Sequence, residues 1–232
     1  MLPEDRLPSA SVSVSRGHRD HISPRCGGTS QPSQQQPAYA LKEWAAVCEA
    51  LAEGQQTILL RKGGIRESGF DIKASKFGLF PTAFHSEAEL LRPPFAERFS
   101  EAMMFQPAEE LEVKSWAVCT GAWVTEDAAE ALAALSDHHI WAPEFLQTRL
   151  RWRPEQPITI MELRVYNMPP VHFPTRSELW GCFSWVDLSN DALLHFDDSH
   201  PVLSDDQFAS SQASLRQQLA AANMTAISKS LP

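Results

Sequence analysis

Hydrophobic and polar positions alternate most cleanly over Ile158 to Tyr166. Thr159, Met161, Leu163 and Val165 fall on one side, and Ile158, Ile160, Glu162, Arg164 and Tyr166 on the other. A period of two predicts a strand. Its first face is mostly apolar, and its second turns from apolar to charged halfway along. Leu111 to Val124 is rich in Val, Trp and Thr and predicts a second long strand, bent at Gly121. Shorter strands are expected over Gln55 to Arg61, over Phe77 to Phe80 (closed by Pro81), and over Trp180 to Leu188. Leu41, Trp44, Cys48 and Leu51 recur at helical spacing, with Gly54 as a C-terminal stop. Pro93-Pro94 separates two short helices. Thr125 before Glu126 and Asp127 reads as an N-cap for a helix to about Leu135, and a further helical piece spans Asp137 to Leu150. Ser204 and Gln207 form a capping box for a final helix reaching about Asn223. Strands and helices mix without a regular βαβ period. The predicted class is therefore α+β, a mixed and mostly antiparallel sheet with flanking helices in a single domain.

The first 37 residues break this pattern. They hold seven Ser and five Pro and end in a Gln-rich run, a composition that buries too little apolar surface to offset chain entropy. The expected organisation is a disordered tail over 1–37, an α+β domain over 38–190, and an acidic loop with a C-terminal helix over 191–232. Net charge is −9, of which residues 177–215 carry −7. That asymmetry leaves room for a local basic face while disfavouring strong nonspecific binding to nucleic acid. Cys26, Cys48, Cys119 and Cys182 are scattered, with no Cys-x-x-Cys pair. They read as reduced thiols in a cytoplasmic protein rather than a zinc site. No apolar run reaches membrane-spanning length.

Candidate chemistry centres on Leu59 to Phe70, LLRKGGIRESGF. A strand feeds a Gly63-Gly64 pair surrounded by Arg61, Lys62 and Arg66, and residues 61–76 net +3. Glycines let backbone N–H groups approach an anion and the cations supply charge. The same residues also fit a β-hairpin with a basic, exposed primed turn. The Lys-Ser/Thr ending of a P-loop is missing. A second cluster, Arg149, Arg151 and Arg153, is interleaved with Leu150 and Trp152, which suits phosphate tracking with base stacking, or a cation-favoured helix end. Glu162 and Arg164 share a strand face, as a cleft acid and anion site or as an ion pair at the sheet edge. Asp71, Glu112 and Lys114 echo a Mg²⁺ nuclease in outline. The segment His195 to His200, with Asp197 and Asp198, carries metal-capable donors in a turn-rich context. Phe208, Leu215 and Leu219 form a thin stripe on the final helix that could meet a protein partner.

Several blocks together carry a resemblance: ALKEW at 40–44, LLRKGGI at 59–65, FGLFPT at 77–82 with His85, HIW at 139–141, Arg149-Leu150, Arg153-Pro154, LRVY at 163–166 and GCFSWV at 181–186. Over about residues 38–190 the chain resembles an uncharacterised bacterial domain family common in cyanobacteria. Some members are associated with Mrr-type restriction endonuclease domains, which implies a role near DNA restriction. Here His85 is followed by Ser86 where that family leads one to expect Gln. The resemblance assigns no residue roles. The reading is a non-catalytic protein that binds nucleic acid or a phosphate-bearing ligand through Arg61, Lys62, Gly63, Gly64, Arg66, Arg149, Arg151 and Arg164. No catalytic residue, metal or cofactor is assigned. The alternatives are a Mg²⁺-dependent nuclease and a protein-interaction module.

Overall fold

The computed structural model describes residues 39–63, 69–82, 88–104, 110–125, 133–151, 154–175, 179, 181–188, 196 and 198–227. The N-terminal tail and most of the helix expected after Thr125 lie outside them.

The two long strands frame the protein. β4 (Glu110–Thr125) and β5 (Ile158–Pro174) run antiparallel from Glu110↔Pro174 to Thr125↔Ile158. The register shifts between Val113 and Ser115 and again between Cys119 and Gly121, so the bend expected at Gly121 is a β-bulge. β2 (Ile58–Arg61) pairs with β5. β3 (Lys76–Thr82) pairs antiparallel with β4 and parallel with β1 (Tyr39–Trp44), and β6 (Trp185–Asp187) closes the far edge. The order is β2-β5-β4-β3-β1-β6, with β7 (His200–Pro201) on β5 and β8 (Thr225–Ala226) on β4. One parallel pairing among antiparallel ones makes this a mixed α+β sheet.

β1 departs from expectation. Leu41 and Trp44 fall at helical spacing, yet Tyr39–Trp44 is a strand, and α1 covers only Ala45–Ala52. β1 has a hydrogen-bonded neighbour on each edge, and that pairing satisfies backbone groups that a short helix turn would otherwise have to satisfy alone. The Ala-rich stretch that follows keeps its helical propensity. It stops at Gly54, whose φ of 72° suits glycine.

A flat sheet would hold β2 and β1 four strand spacings apart, roughly 19 Å. Arg61 on β2 nevertheless touches Glu43 on β1, so the sheet is strongly curled. Its inner face carries Leu41, Leu59, Phe77, Met161 and Leu163 of the main core. A second cluster on the other face includes Ala40, Phe80, Val113, Trp116 and Phe173.

Around the sheet lie α2 (Pro93–Arg98), α3 (Ser100–Met103), α4 (Pro143–Arg151) and α5 (Asp205–Ala221). Pro93-Pro94 opens α2 rather than ending a helix. The capping box is formed: Ser204 Oγ accepts the Gln207 N–H, and the Gln207 side chain accepts the Ser204 N–H. The α5 stripe does not face a partner. Phe208, Leu215 and Leu219 are buried, and Leu215 and Leu219 belong to the main core. Apolar area already covered by the protein's own sheet has nothing left to gain from docking elsewhere. No described helix is long and apolar enough to cross a membrane.

Candidate nucleic-acid interface

The sequence blocks singled out above converge at the C-terminal half of β1. Lys42 and Glu43 are consecutive, so their side chains leave opposite faces of the strand. On the inner side, Glu43 Oε2 accepts from Arg61 Nη1 at 2.9 Å, and Glu43 Oε1 accepts the Trp44 N–H at 2.9 Å. Arg61 Nη1 also donates to the Lys42 carbonyl at 3.1 Å, and its guanidinium lies 5.3 Å from the Phe70 ring centroid. Thr82 Oγ1 donates to the Glu43 carbonyl at 3.1 Å. Arg61 and Glu43 are buried, and so is Lys62.

This corrects the picture of an exposed basic loop. Arg61 is held inside the curled sheet by a carboxylate, a carbonyl and a ring, and Lys62 is buried beside it. The hairpin alternative fails as well, because β2 pairs with β5 and not with β3. Gly63 does have a backbone reason: a Cβ there would sit 2.4 Å from the Gly69 carbonyl oxygen, so only glycine permits that approach. Gly64 and Arg66 lie outside the described residues.

Lys42, on the other face, is the cation the sequence reading passed over. Its Nζ donates to the Gly181 carbonyl at 3.1 Å and sits 3.6 Å from the Phe183 ring centroid, with buried Phe80 at 6.0 Å. The Lys42 residue is 7% exposed, whereas Phe183 is 37% exposed. The ammonium is therefore covered by a ring that itself faces solvent. Burial pulls the Lys42 pKa down to about 8, and the nearby Cys182 sulfur opposes part of that shift. The Lys42 N–H donates to the Ser184 carbonyl at 2.9 Å, which ties the loop that carries Phe183 to β1. A strand reading of ALKEW would have shown Lys42 on the same face as Ala40, and GCFSW supplies its cap.

The start of α4 packs at the same end of β1. Phe145 of α4 stacks on Trp141 at 3.8 Å and lies 6.0 Å from Trp44, the last residue of β1. Arg151 is exposed at the end of α4. The side chain of Arg149, and Trp152 and Arg153 entirely, lie outside the described residues.

Glu162 and Arg164 share a face of β5 but do not pair with each other, and β5 is flanked by β2 and β4 rather than lying at the sheet edge. Glu162, 1% exposed, accepts from Thr120 Oγ1 at 2.7 Å, Gln212 Nε2 at 3.0 Å and Arg216 Nη2 at 2.8 Å. Thr120 lies within the bulge. Arg164 Nη2 meets Asp205 at 2.5 Å, Arg164 Nε donates to the Tyr166 hydroxyl, and the guanidinium lies 4.8 Å from the Phe208 ring. Both residues thus fasten α5 to the sheet. Beside them, His138 Nδ1 lies 3.2 Å from Thr57 Oγ1 and 3.5 Å from Ser211 Oγ, and burial lowers its pKa.

The nuclease residues are engaged singly. Lys114 pairs with Glu49 at 2.6 Å, Glu112 is exposed opposite His172, and the Asp71 carbonyl accepts from Trp185 Nε1 at 2.8 Å. Among the described residues, no group of three or more His, Cys, Asp or Glu side chains stands close enough to hold a metal ion. His195 and Asp197 lie outside the described residues, and His85 does too. His200 is exposed on β7.

Fold and site together define an α+β domain with one curled mixed sheet and cations gathered at the end of one strand. The chain belongs to the family described as Domain of unknown function (DUF1802), matched over residues 40–214. No curated protein is significantly similar to it. Among solved structures it is similar to the ASCH protein of Zymomonas mobilis at 12% identity and a TM-score of 0.37, covering 77% of this chain and 95% of that one. A serine-to-alanine mutant of the same protein matches at 11% identity and a TM-score of 0.38, covering 78% of this chain and 97% of that one. Likeness at this distance carries no functional argument.

Proposed function

We propose that this domain is a non-catalytic binding module for nucleic acid or another phosphate-bearing ligand, with Lys42 at the centre of its site. One observation carries the reading: Lys42 is buried under a solvent-facing ring and a carbonyl, with its pKa drawn down to about 8. An ammonium in that position costs the fold stability, and ionisable groups perturbed by burial cluster at functional sites. An incoming phosphate or base supplies the negative potential that the site lacks. Exposed Arg151 ends α4, the helix whose Phe145 lies against Trp44, and is proposed to add positive charge to the site. Arg61 is assigned a supporting role, holding Glu43 and the β1 backbone in place. Lys62 and Gly63 continue the same segment, Gly64 and Arg66 follow them in sequence, and Arg149 precedes Arg151 on α4. Arg164 contributes only by exchanging its exposed partner Asp205 for a phosphate. The resemblance to bacterial domains found beside Mrr-type restriction modules makes DNA the first ligand to test, in a cytoplasmic setting.

The test is fluorescence anisotropy of labelled duplex and single-stranded DNA over a salt series, with and without Mg²⁺. Binding is expected to weaken steeply with salt, and to fall in Lys42→Gln and Arg151→Glu. Absence of binding at low salt, or unchanged affinity in Lys42→Gln, overturns the reading. Cleavage with Mg²⁺ that is lost in Lys114→Ala would favour the nuclease instead.

A further inference from the structure

The Lys42 cap has a more specific meaning, which rests on the reading above. Two rings attend the ammonium, and they differ in kind. Phe80 is fully buried in the second core cluster and cannot leave without opening it. Phe183 lies closer, on the solvent side, and among the described residues it is one of two large hydrophobic side chains left exposed. A cation over the face of an aromatic side chain is attracted by the ring quadrupole, and a nucleobase offers a flat π-face for stacking in the same place. Gly181 makes the folded-over ring possible. A Cβ at Gly181 would lie 2.5 Å from Phe183 Cε1, so any other residue there forces the ring aside. Holding the ring at Lys42 thus depends on a glycine in the same short loop, while the Gly181 and Ser184 carbonyls anchor that loop to Lys42.

From this geometry we infer that Phe183 holds the place of an unstacked nucleobase: a base of a single strand displaces the ring and stacks on the Lys42 ammonium. The Lys42 Nζ keeps its bond to the Gly181 carbonyl, and its remaining N–H groups, directed off the stacked face, meet the strand's phosphate oxygens. A nucleotide exchanged for Phe183 keeps a ring over the ammonium and adds a phosphate contact that phenylalanine does not have. A bare phosphate would forfeit the ring contacts. Strand binding by stacked bases tolerates sequence, since every base has a π-face.

The test compares a single-stranded thymidine oligonucleotide with an abasic oligonucleotide of the same length, by anisotropy at one low salt concentration, on the full chain. The expected result is a preference of about tenfold for the base-bearing strand, a tighter complex with Phe183→Ala and with Gly181→Ala, and loss of the preference in Lys42→Gln. Gly181→Ala keeps the ring but displaces it, so it separates cap opening from the loss of an aromatic group. Equal, salt-sensitive affinity for both strands overturns the base inference and leaves the phosphate reading standing. Binding to neither strand overturns both. Phe183→Ala and Gly181→Ala that bind both strands like the unmodified protein also overturn the base inference.

Discussion

Replacing Arg61 by methionine keeps an unbranched apolar stem and removes the charged head, leaving the Glu43 carboxylate inside the curled sheet without its ion partner. The paired side chains are 10% and 8% exposed, so water cannot take over the role of the guanidinium. Removing one partner of a buried pair costs about 3–5 kcal/mol, roughly a fifth or more of the stability of an ordinary domain. In urea, with a slope of about 2 kcal/mol per molar, the unfolding midpoint should fall by about 2 M. The double variant Glu43→Leu/Arg61→Met removes both charges and should recover about 2 kcal/mol or more relative to the sum of the two single changes. The readout is equilibrium urea unfolding followed by tryptophan fluorescence. An Arg61→Met unfolding free energy within about 0.5 kcal/mol of wild type, below the range for a broken buried pair, would refute the reasoning. Arg61 would then be an accessible cation of the kind first read from LLRKGGI. A double variant no more stable than the singles predict would refute the pairing with Glu43.

Lys42→Met is expected to raise the melting temperature at pH 7 while weakening nucleic-acid binding, because the folded chain carries an ammonium it holds less willingly than the unfolded chain does. The folded pKa of about 8 lies below the ordinary 10.5. Wild-type stability should therefore rise as pH climbs from 8 towards 10.5, and the variant should lack that rise; a flat wild-type profile counts against the burial. His138 also has a lowered pKa, from an ordinary 6.5, under burial. Its contribution is complete above pH 6.5 and is lost as pH falls below it, so the urea midpoint should drop with acid in wild type and drop less in His138→Gln. Leu219→Ala should cost about 2–5 kcal/mol in thermal or urea unfolding, since Leu219 is 1% exposed within the main core; a cost below that range would mean α5 is only loosely attached.

Local signals carried the elements whose residues decide their own conformation. The period of two in β5, the bend at Gly121 in β4, the stop at Gly54 and the Ser204–Gln207 capping box were all legible, since each depends on side chains within a few residues. The basic character of LLRKGGI and the value of ALKEW and GCFSW as distinctive blocks were legible too. What those blocks do to one another was not. Whether Tyr39–Trp44 is a strand or the start of a helix depends on β3 and β6, one of them about 140 residues away. That pairing decides which face Lys42 occupies. The curl of the sheet brings β2 against β1 and turns Arg61 from a surface cation into the buried partner of Glu43. Glu162 and Arg164 looked like partners at a spacing of two, but α5 supplies a separate partner for each. Charge and periodicity are properties of the chain and can be read along it. Burial and pairing arise only where distant segments meet, and they determine whether a cation supports the fold or awaits a ligand.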